Sequence, residues 1–115
     1  MKSHSKVAII GGGIMGVSLL YHLTKEGWND IVLIEKGELT SGSTWHAAGQ
    51  CPHFVGSYNS AKIHNYSNKL YQELEKETGQ STGWHGCGSI RLALKEEDLN
   101  WFHYIKGILD NVGSP

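Results

Sequence analysis

Three glycines near the start of the chain have the spacing of a turn that binds a pyrophosphate. Gly11, Gly13 and Gly16 follow the pattern G-x-G-x-x-G. The first glycine permits a tight turn, the second lets the backbone approach a phosphate, and the third lets the next helix pack close to the preceding strand. A helix that begins beside this turn, at Ile14 and Met15, presents free N–H groups and a partial positive charge to the phosphates. The spacing therefore predicts a site for the pyrophosphate of a dinucleotide.

An acidic residue lies where such a site needs an acceptor for the adenosine ribose. Glu35 stands nineteen residues after Gly16 and directly follows the apolar run of residues 31–34. A carboxylate at this place hydrogen-bonds a ribose hydroxyl. With residues 7–10 as a buried strand and residues 14–26 as a helix, the pattern predicts a strand–helix–strand unit that binds a dinucleotide. The alternative is the same unit with a glycine-rich turn and no ligand.

The stretch that follows the acid, residues 40–49, consists mainly of small and hydroxyl-bearing residues. An ordinary NAD-binding unit would continue here to a third strand. Small residues let the backbone approach a ligand, and the hydroxyls of Ser43 and Thr44 can bond phosphate or ribose. Composition alone equally allows a helix N-cap and turn cluster. His46 is a candidate for reactivity, although a lone histidine is more often packed or exposed.

Composition and charge exclude several classes of function. The chain has 115 residues and a net charge of −1, which gives no basic surface for nucleic acid. No apolar run approaches the ~20 residues of a membrane span. Because only residues 1–5 precede the first strand, we expect no signal or transit peptide, and hence a cytoplasmic protein or a processed form in the mitochondrial matrix. Cys51 and Cys87 do not make a secreted disulfide framework.

The remaining residues predict a helix, a strand and a second helix. Residues 60–78 carry apolar side chains at helical spacing on one face, and residues 96–111 do the same. The apolar residues on the first of these faces are Ile63, Tyr66, Leu70 and Leu74. Residues 88–94 alternate apolar and polar side chains, which indicates a strand. Arg91 within it could hold a substrate carboxylate, although a structural or solvated role is commoner.

Five segments of the sequence resemble the flavoprotein family of dimethylglycine and sarcosine dehydrogenases. They are K-V-A-I-I-G-G-G-I-M-G at 6–16, I-V-L-I-E-K at 31–36, L-T-S-G-S-T-W-H-A-A-G at 39–49, the helical segment 61–80 and G-S-I-R-L-A at 88–93. The octet G-S-T-W-H-A-A-G is the most specific of them. The sequence departs from the family after Gly49, where Q-C-P-H-F stands in place of a less polar run, and this leaves the substrate within the family open.

The resemblance implies an FAD-dependent enzyme that oxidises the N-methyl group of a small methylated amine, such as dimethylglycine or sarcosine, by hydride transfer to the flavin. Oxygen or an electron-transfer flavoprotein would accept the electrons. The residues that it implies in cofactor binding are Gly11, Gly13, Ile14, Met15, Gly16, Glu35, Lys36, Ser43, Thr44 and His46. In the family, the histidine that matches His46 carries FAD covalently through the 8α carbon. Imidazole suits this role because its ordinary pKa of about 6.5 supplies a neutral, nucleophilic nitrogen near pH 7.

Too few strands are predicted for a complete cofactor domain. A parallel sheet that holds a dinucleotide normally has five or six strands, and the patterns predict two parallel strands and one later strand. We therefore expect an α/β, Rossmann-like FAD/NAD(P)-binding fold of which only the N-terminal part is present. Residues 1–57 would form the strand–helix–strand unit and the flavin-side loop, and residues 58–115 would lead into a substrate domain. Catalytic acid–base residues are expected beyond Pro115.

Two other functions remain open on the sequence. One is an NAD(P)-dependent dehydrogenase with the same opening, which the 40–49 loop disfavours, and the other is a non-catalytic nucleotide-binding fragment. Two cysteines and two histidines match the number of ligands in a zinc site, but one residue between paired ligands is fewer than the usual two to four. These four are Cys51, His53, His85 and Cys87. We therefore predict no metal.

Overall fold

The computed structural model describes residues 3–114, which form two strands and three helices. In chain order they are β1 (Val7–Ile10), α1 (Ile14–Lys25), β2 (Ile31–Ile34), α2 (Tyr58–Thr78) and α3 (Glu96–Val112). The described residues up to Gly49 form one compact unit, the first unit, and those from Gln50 onward form another, the second unit. Within residues 3–114, no helix combines the length and the apolar character that a membrane crossing needs.

The first unit is a strand–helix–strand crossover. β1 and β2 pair in parallel, with Val7 opposite Ile31 and Ile10 opposite Ile34, and α1 connects them. Runs of mainly β-branched residues form both strands because such side chains pack well on a pleated sheet. α1 ends where Gly27 takes a left-handed backbone with a φ of +84°, which glycine adopts at little cost. The arrangement confirms the predicted α/β fold class.

The second unit is built on α2 and α3, and the buried face of α2 differs from the predicted one. Its buried residues are Ala61, Asn65 and Asn68. Ile63 and Tyr66, which the apolar spacing favoured, are 65% and 53% exposed. The side-chain amide of Asn65 instead donates to the carbonyl oxygen of Val112, at the end of α3, over 2.9 Å. Contacts between the two helices therefore determine which face of α2 is buried. The apolar periodicity of a single helix does not predict such contacts.

Residues 88–94 do not form the predicted strand. A strand needs a neighbour to pair with, and within residues 3–114 the only paired strands are β1 and β2. The alternating apolar side chains are consequently uncovered: Ile90, Leu92 and Leu94 are 89%, 78% and 89% exposed. The prediction is wrong for this segment because alternation indicates a face that can be buried, whereas a strand also requires a pairing partner.

Candidate functional site

A cleft of about 490 Å³ lies in the first unit, where β1 and β2 end and α1 begins. The carboxyl ends of parallel strands are where α/β sheets bind their ligands. The lining residues are Ile10, Gly11, Gly13, Ile14, Met15, Gly16, Glu35, Lys36, Thr40, Ser41, Gly42, Ser43, Thr44 and Ala47. Nine of the ten residues that the sequence indicates for cofactor binding are therefore brought together here. The exception is His46.

The glycine turn keeps α1 close to β1 and leaves the start of the helix open. Gly11 has a left-handed backbone with a φ of +104°. A Cβ added at Gly16 would overlap the carbonyl oxygen of Gly11, so any larger residue at position 16 would force the helix away from the turn. Gly13 is the N-cap residue of α1 and makes no side-chain hydrogen bond to it. The first N–H groups of the helix are thus left to other acceptors.

Glu35 is fixed by two backbone N–H groups. Its Oε2 accepts from the N–H of Gly12 at 2.6 Å, and its Oε1 accepts from the N–H of Gly37 at 2.9 Å. These hydrogen bonds, that of Gly12 foremost, lower the pKa of the Glu35 carboxyl below its ordinary value, so the group is charged at neutral pH. A carboxylate has about four acceptor positions, and a ribose hydroxyl can use one of those that remain. The spacing in the sequence does not indicate Gly12, whose contribution needs only a backbone N–H.

Two hydrogen bonds attach the 40–49 loop to the glycine turn. The N–H of Thr40 donates to the carbonyl oxygen of Gly12 at 2.9 Å, and the N–H of Ile14 donates to Oγ1 of Thr44 at 2.9 Å. Thr44 thus supplies α1 with the side-chain cap that its own N-cap residue lacks. The hydroxyl hydrogen of Thr44 remains available to an acceptor in the cleft. Sequence reasoning missed Thr40 because backbone groups carry the bond.

His46 is exposed and does not line the cleft, although Gly42 and Ala47 of the same loop do. Its Nδ1 lies 2.9 Å from the carbonyl oxygen of Gly42. Because a carbonyl oxygen only accepts hydrogen bonds, we assign the hydrogen of the neutral ring to Nδ1. Nε2 then keeps its lone pair, and this tautomer leaves Nε2 as the nucleophilic nitrogen.

The other candidate residues lie in the second unit. The guanidinium of Arg91 lies 4.8 Å from the centre of the Phe54 ring, a cation–π contact that accounts for its position without a bound carboxylate. Cys51 and Cys87 are exposed free thiols. Among residues 3–114, no three His, Cys, Asp or Glu side chains are grouped in a way that could hold a metal ion.

Comparison with known proteins identifies the family. A family model described as FAD dependent oxidoreductase matches residues 6–111. The chain belongs to this family. The match confirms the resemblance to flavoprotein oxidoreductases and decides against the NAD(P)-dependent alternative.

Three named proteins from the comparisons are similar to this FAD-dependent oxidoreductase chain. Dimethylglycine dehydrogenase, mitochondrial, from Rattus norvegicus is 55% identical over 103 residues, which cover 90% of this chain and 12% of that protein. Pyruvate dehydrogenase phosphatase regulatory subunit, mitochondrial, from Mus musculus is 47% identical over 115 residues, 100% of this chain and 13% of that protein. The structure of L-amino acid deaminase from Proteus vulgaris matches with a TM-score of 0.84 at 25% identity, over 99% of this chain and 26% of that one. The chain thus spans about an eighth of the length of the two curated relatives.

The cleft fits the pyrophosphate and ribose of the family's FAD. N–H donors at the start of α1 suit an anion, whereas the charged Glu35 at the end of β2 suits hydroxyl groups. A Cβ on Gly13 would lie 3.1 Å from Oγ1 of Thr44, so the passage between the helix and the 40–49 loop stays open only while position 13 has no side chain. The cleft thus offers both N–H donors and a carboxylate acceptor, the two kinds of group that a pyrophosphate and a ribose require.

Proposed function

We propose that this chain is the FAD-binding part of an oxidoreductase that oxidises an N-methyl group of a methylated glycine, such as dimethylglycine or sarcosine. The observation that supports this most strongly is the 55% identity to rat dimethylglycine dehydrogenase over 90% of the chain. Bound FAD supplies the hydride acceptor, the N5 atom of its flavin. Loss of hydride converts the N-methyl carbon to an iminium carbon. Water then releases that carbon as formaldehyde, together with the demethylated amine and a proton, unless folate takes it.

In this proposal the residues of the cleft bind and orient the cofactor. The glycine turn and the first N–H groups of α1 hold the pyrophosphate. Glu35 accepts a hydrogen bond from an adenosine ribose hydroxyl, and Lys36 places a cation at the same edge of the cleft. Thr44 accepts from the N–H of Ile14 and can donate its own hydroxyl hydrogen to a phosphate oxygen. Ser43 offers a second hydroxyl beside it in the sequence.

We further propose that His46 tethers the flavin covalently. Its Nδ1–H is engaged by Gly42, so Nε2 carries the lone pair that forms the bond to the 8α carbon. Attachment would replace one C–H bond of the 8α methyl group by a bond to Nε2. The 8α hydrogen and the Nδ1 hydrogen would leave as protons, and dioxygen would take up the two electrons with them as hydrogen peroxide. The attachment fixes the orientation of the ring and makes it more oxidising.

The compartment and the electron acceptor are proposed from the same relatives. The rat and mouse proteins are both mitochondrial by name, which favours the mitochondrial matrix over the cytoplasm for the protein that carries this chain. Oxygen and an electron-transfer flavoprotein both remain acceptors in the proposal, because the acceptor contacts the reduced flavin rather than the adenosine half that the cleft fits.

A second candidate is a regulatory subunit that retains the nucleotide-binding fold without amine oxidation. The 47% identity to the mouse pyruvate dehydrogenase phosphatase regulatory subunit extends over the whole chain. The cleft geometry suits this alternative equally, since FAD can stabilise a fold without reacting. The first candidate oxidises a methylated glycine, whereas the second does not.

The test starts from the protein purified from its source and denatured. We expect FAD to remain attached after denaturation and a peptide adduct to map to His46. His46→Ala should release the flavin on denaturation. His85→Ala, which changes another exposed histidine of the chain, is the matched control and should keep it. Flavin that is bound to the native protein but released on denaturation would refute the covalent tether and would not contradict the proposed FAD site.

Turnover then separates the two candidate functions. We expect dimethylglycine to bleach the flavin absorbance of the holoprotein under anaerobic conditions. A protein that holds FAD but does not reduce it with dimethylglycine or sarcosine would support the regulatory subunit and overturn the dehydrogenase. A protein with no FAD at all would overturn both roles assigned to the cleft.

A further inference from the structure

Thr40 has an unusual backbone conformation at the start of the 40–49 loop. Within residues 3–114 it is the only residue other than glycine with a positive φ, at +64°. For a β-branched residue this conformation is an outlier, and it persists only where the surroundings hold it. The position of Thr40 therefore requires an explanation from its contacts.

The two peptide groups of Thr40 connect the glycine turn to the loop. Its N–H donates to the carbonyl oxygen of Gly12 at 2.9 Å, and its carbonyl oxygen accepts from the N–H of Trp45 at 3.1 Å. Gly12 is buried, and its N–H donates to Glu35 at 2.6 Å. A continuous series of hydrogen bonds thus runs from the ribose-side carboxylate to the residue before His46. Neither bond of Thr40 uses its hydroxyl.

The imidazole of His46 is positioned by the loop that carries it. Its Nδ1 bonds the Gly42 carbonyl oxygen at 2.9 Å. The loop itself is attached to the turn through Thr40 and through the Thr44 hydroxyl that accepts from Ile14. The left-handed turn at position 40 is therefore one of the two points that fix the loop, and His46 with it, to the glycine turn.

We propose that Thr40 is a positioning residue for the attachment of FAD to His46, and that it acts through its left-handed backbone and its N–H. This inference rests on the tether in the proposed function. Bond formation between Nε2 and the 8α carbon needs the two atoms in near-attack geometry, whereas FAD binding is distributed over the whole cleft. Displacing the loop should consequently slow attachment much more than it weakens binding.

Three substitutions at position 40, made in the full protein, test the proposal. Thr40→Pro removes the N–H and fixes φ near −65°, so it should slow covalent attachment by about 100-fold, the cost of a misplacement of about 1 Å. Thr40→Asn keeps the N–H and favours the left-handed region, and it should attach FAD at least as fast as the unchanged protein. Thr40→Val keeps the shape and the N–H and removes only the hydroxyl, so it should behave as the unchanged protein does.

The readouts are the rate of adduct formation at saturating FAD, measured on denatured samples, and the dissociation constant of unattached FAD. Backbone amide exchange at position 40 without FAD is a third readout, and it should slow in Thr40→Asn. If Thr40→Pro does not fold, Thr40→Asn decides, because attachment faster than in the unchanged protein supports the proposal and slower attachment overturns it. Slow attachment in Thr40→Asn with normal FAD binding would overturn the proposal, as would a loss in Thr40→Val, because the hydroxyl would then be responsible. An unchanged protein that binds FAD without any adduct would instead refute the tether itself.

Discussion

The two units of the chain are stabilised in different ways. In the first unit, a backbone N–H donates each of three long-range hydrogen bonds. The N–H of Gly12 donates to the Glu35 carboxylate, that of Thr40 to the Gly12 carbonyl oxygen, and that of Ile14 to the Thr44 hydroxyl. In the second unit, side chains from two helices meet, and Ile105 on α3 is completely buried. Residues of the first unit thus surround a cleft whose polar groups are held by backbone hydrogen bonds, whereas those of the second unit cover a small core.

Buried polar atoms sharpen this contrast. In the second unit, Oδ1 of both Asn65 and Asn68 is buried without a protein hydrogen-bond partner, while their amide nitrogens bond Val112 and His53. In the first unit, both oxygens of Glu35 accept backbone hydrogen bonds. The polar groups of the cleft thus have their hydrogen bonds in place, whereas the helix pair buries two amides of which only the nitrogen is hydrogen-bonded. The first unit should therefore be sensitive to backbone changes and the second to truncation of side chains.

Truncation of the apolar core of the second unit should have the largest effect. Ile105→Ala removes a side chain with no exposed surface and should lower the free energy of unfolding by about 2–5 kcal/mol. Ile63→Ala on α2, where the side chain is 65% exposed, is the matched control and should change it little. Urea unfolding followed by circular dichroism measures both. Equal losses in the two variants would mean that the predicted apolar face of α2, and not the observed one, is buried.

A single added methyl group should disturb the first unit next most strongly. The Cβ in Gly16→Ala would overlap a backbone carbonyl oxygen, which cannot move aside as a side chain can. We expect a loss of about 1–3 kcal/mol in stability, as for overpacking, and weaker FAD binding. Gly42→Ala, whose Cβ would meet open space, is the control for folding. FAD binding by Gly16→Ala at normal affinity would contradict the close approach of α1 and β1.

The charge of Glu35 should make the first unit sensitive to acid. Its pKa is lowered from the ordinary value of 4.5 by the N–H groups of Gly12 and Gly37. A lowered pKa in the folded state means that this carboxylate stabilises the fold above pH 4.5 and that the contribution is lost as the pH falls through the folded value. Glu35→Gln should therefore flatten this part of the stability–pH curve. A curve unchanged in Glu35→Gln would show that the two hydrogen bonds do not favour the charged form.

The smallest effect should come from an exposed helical glycine of the second unit. Gly107 lies in the middle of α3, and an added Cβ would meet nothing within 4 Å, so Gly107→Ala should stabilise the helix by about 1 kcal/mol. Gly113→Ala should have the opposite sign because Gly113 caps the same helix with a φ of +64°. Thermal unfolding of the two variants measures the difference. Stabilisation by both would place the end of α3 beyond position 113.

The sequence predicts the elements of the first unit because their signals are local. The helix predicted over residues 14–26 ends one residue earlier, at Lys25, and both strands have the predicted limits. Glycine spacing and an acid at a fixed distance also predict that Gly11, Gly13, Gly16 and Glu35 lie together at the cleft. Thr40 and Gly12 escape prediction because a bond between backbone groups distant in the chain leaves no signature in residue type.

The second unit is less predictable because tertiary contacts decide it. Apolar spacing does not indicate Asn65 and Asn68, yet both are buried. The limits of α2 and α3 are nevertheless predicted to within two residues. Apolar and polar side chains do alternate in residues 88–94, but a strand also needs a neighbouring strand, and alternation does not provide one.

The uncovered 88–94 segment also affects how concentrated a solution of the chain can be. Ile90, Leu92 and Leu94 alternate along a stretch outside any sheet, and such stretches template pairing between copies. Lys95, Glu96 and Glu97 follow directly, and charges at this place oppose association between copies. Association between copies should therefore increase as salt screens these charges.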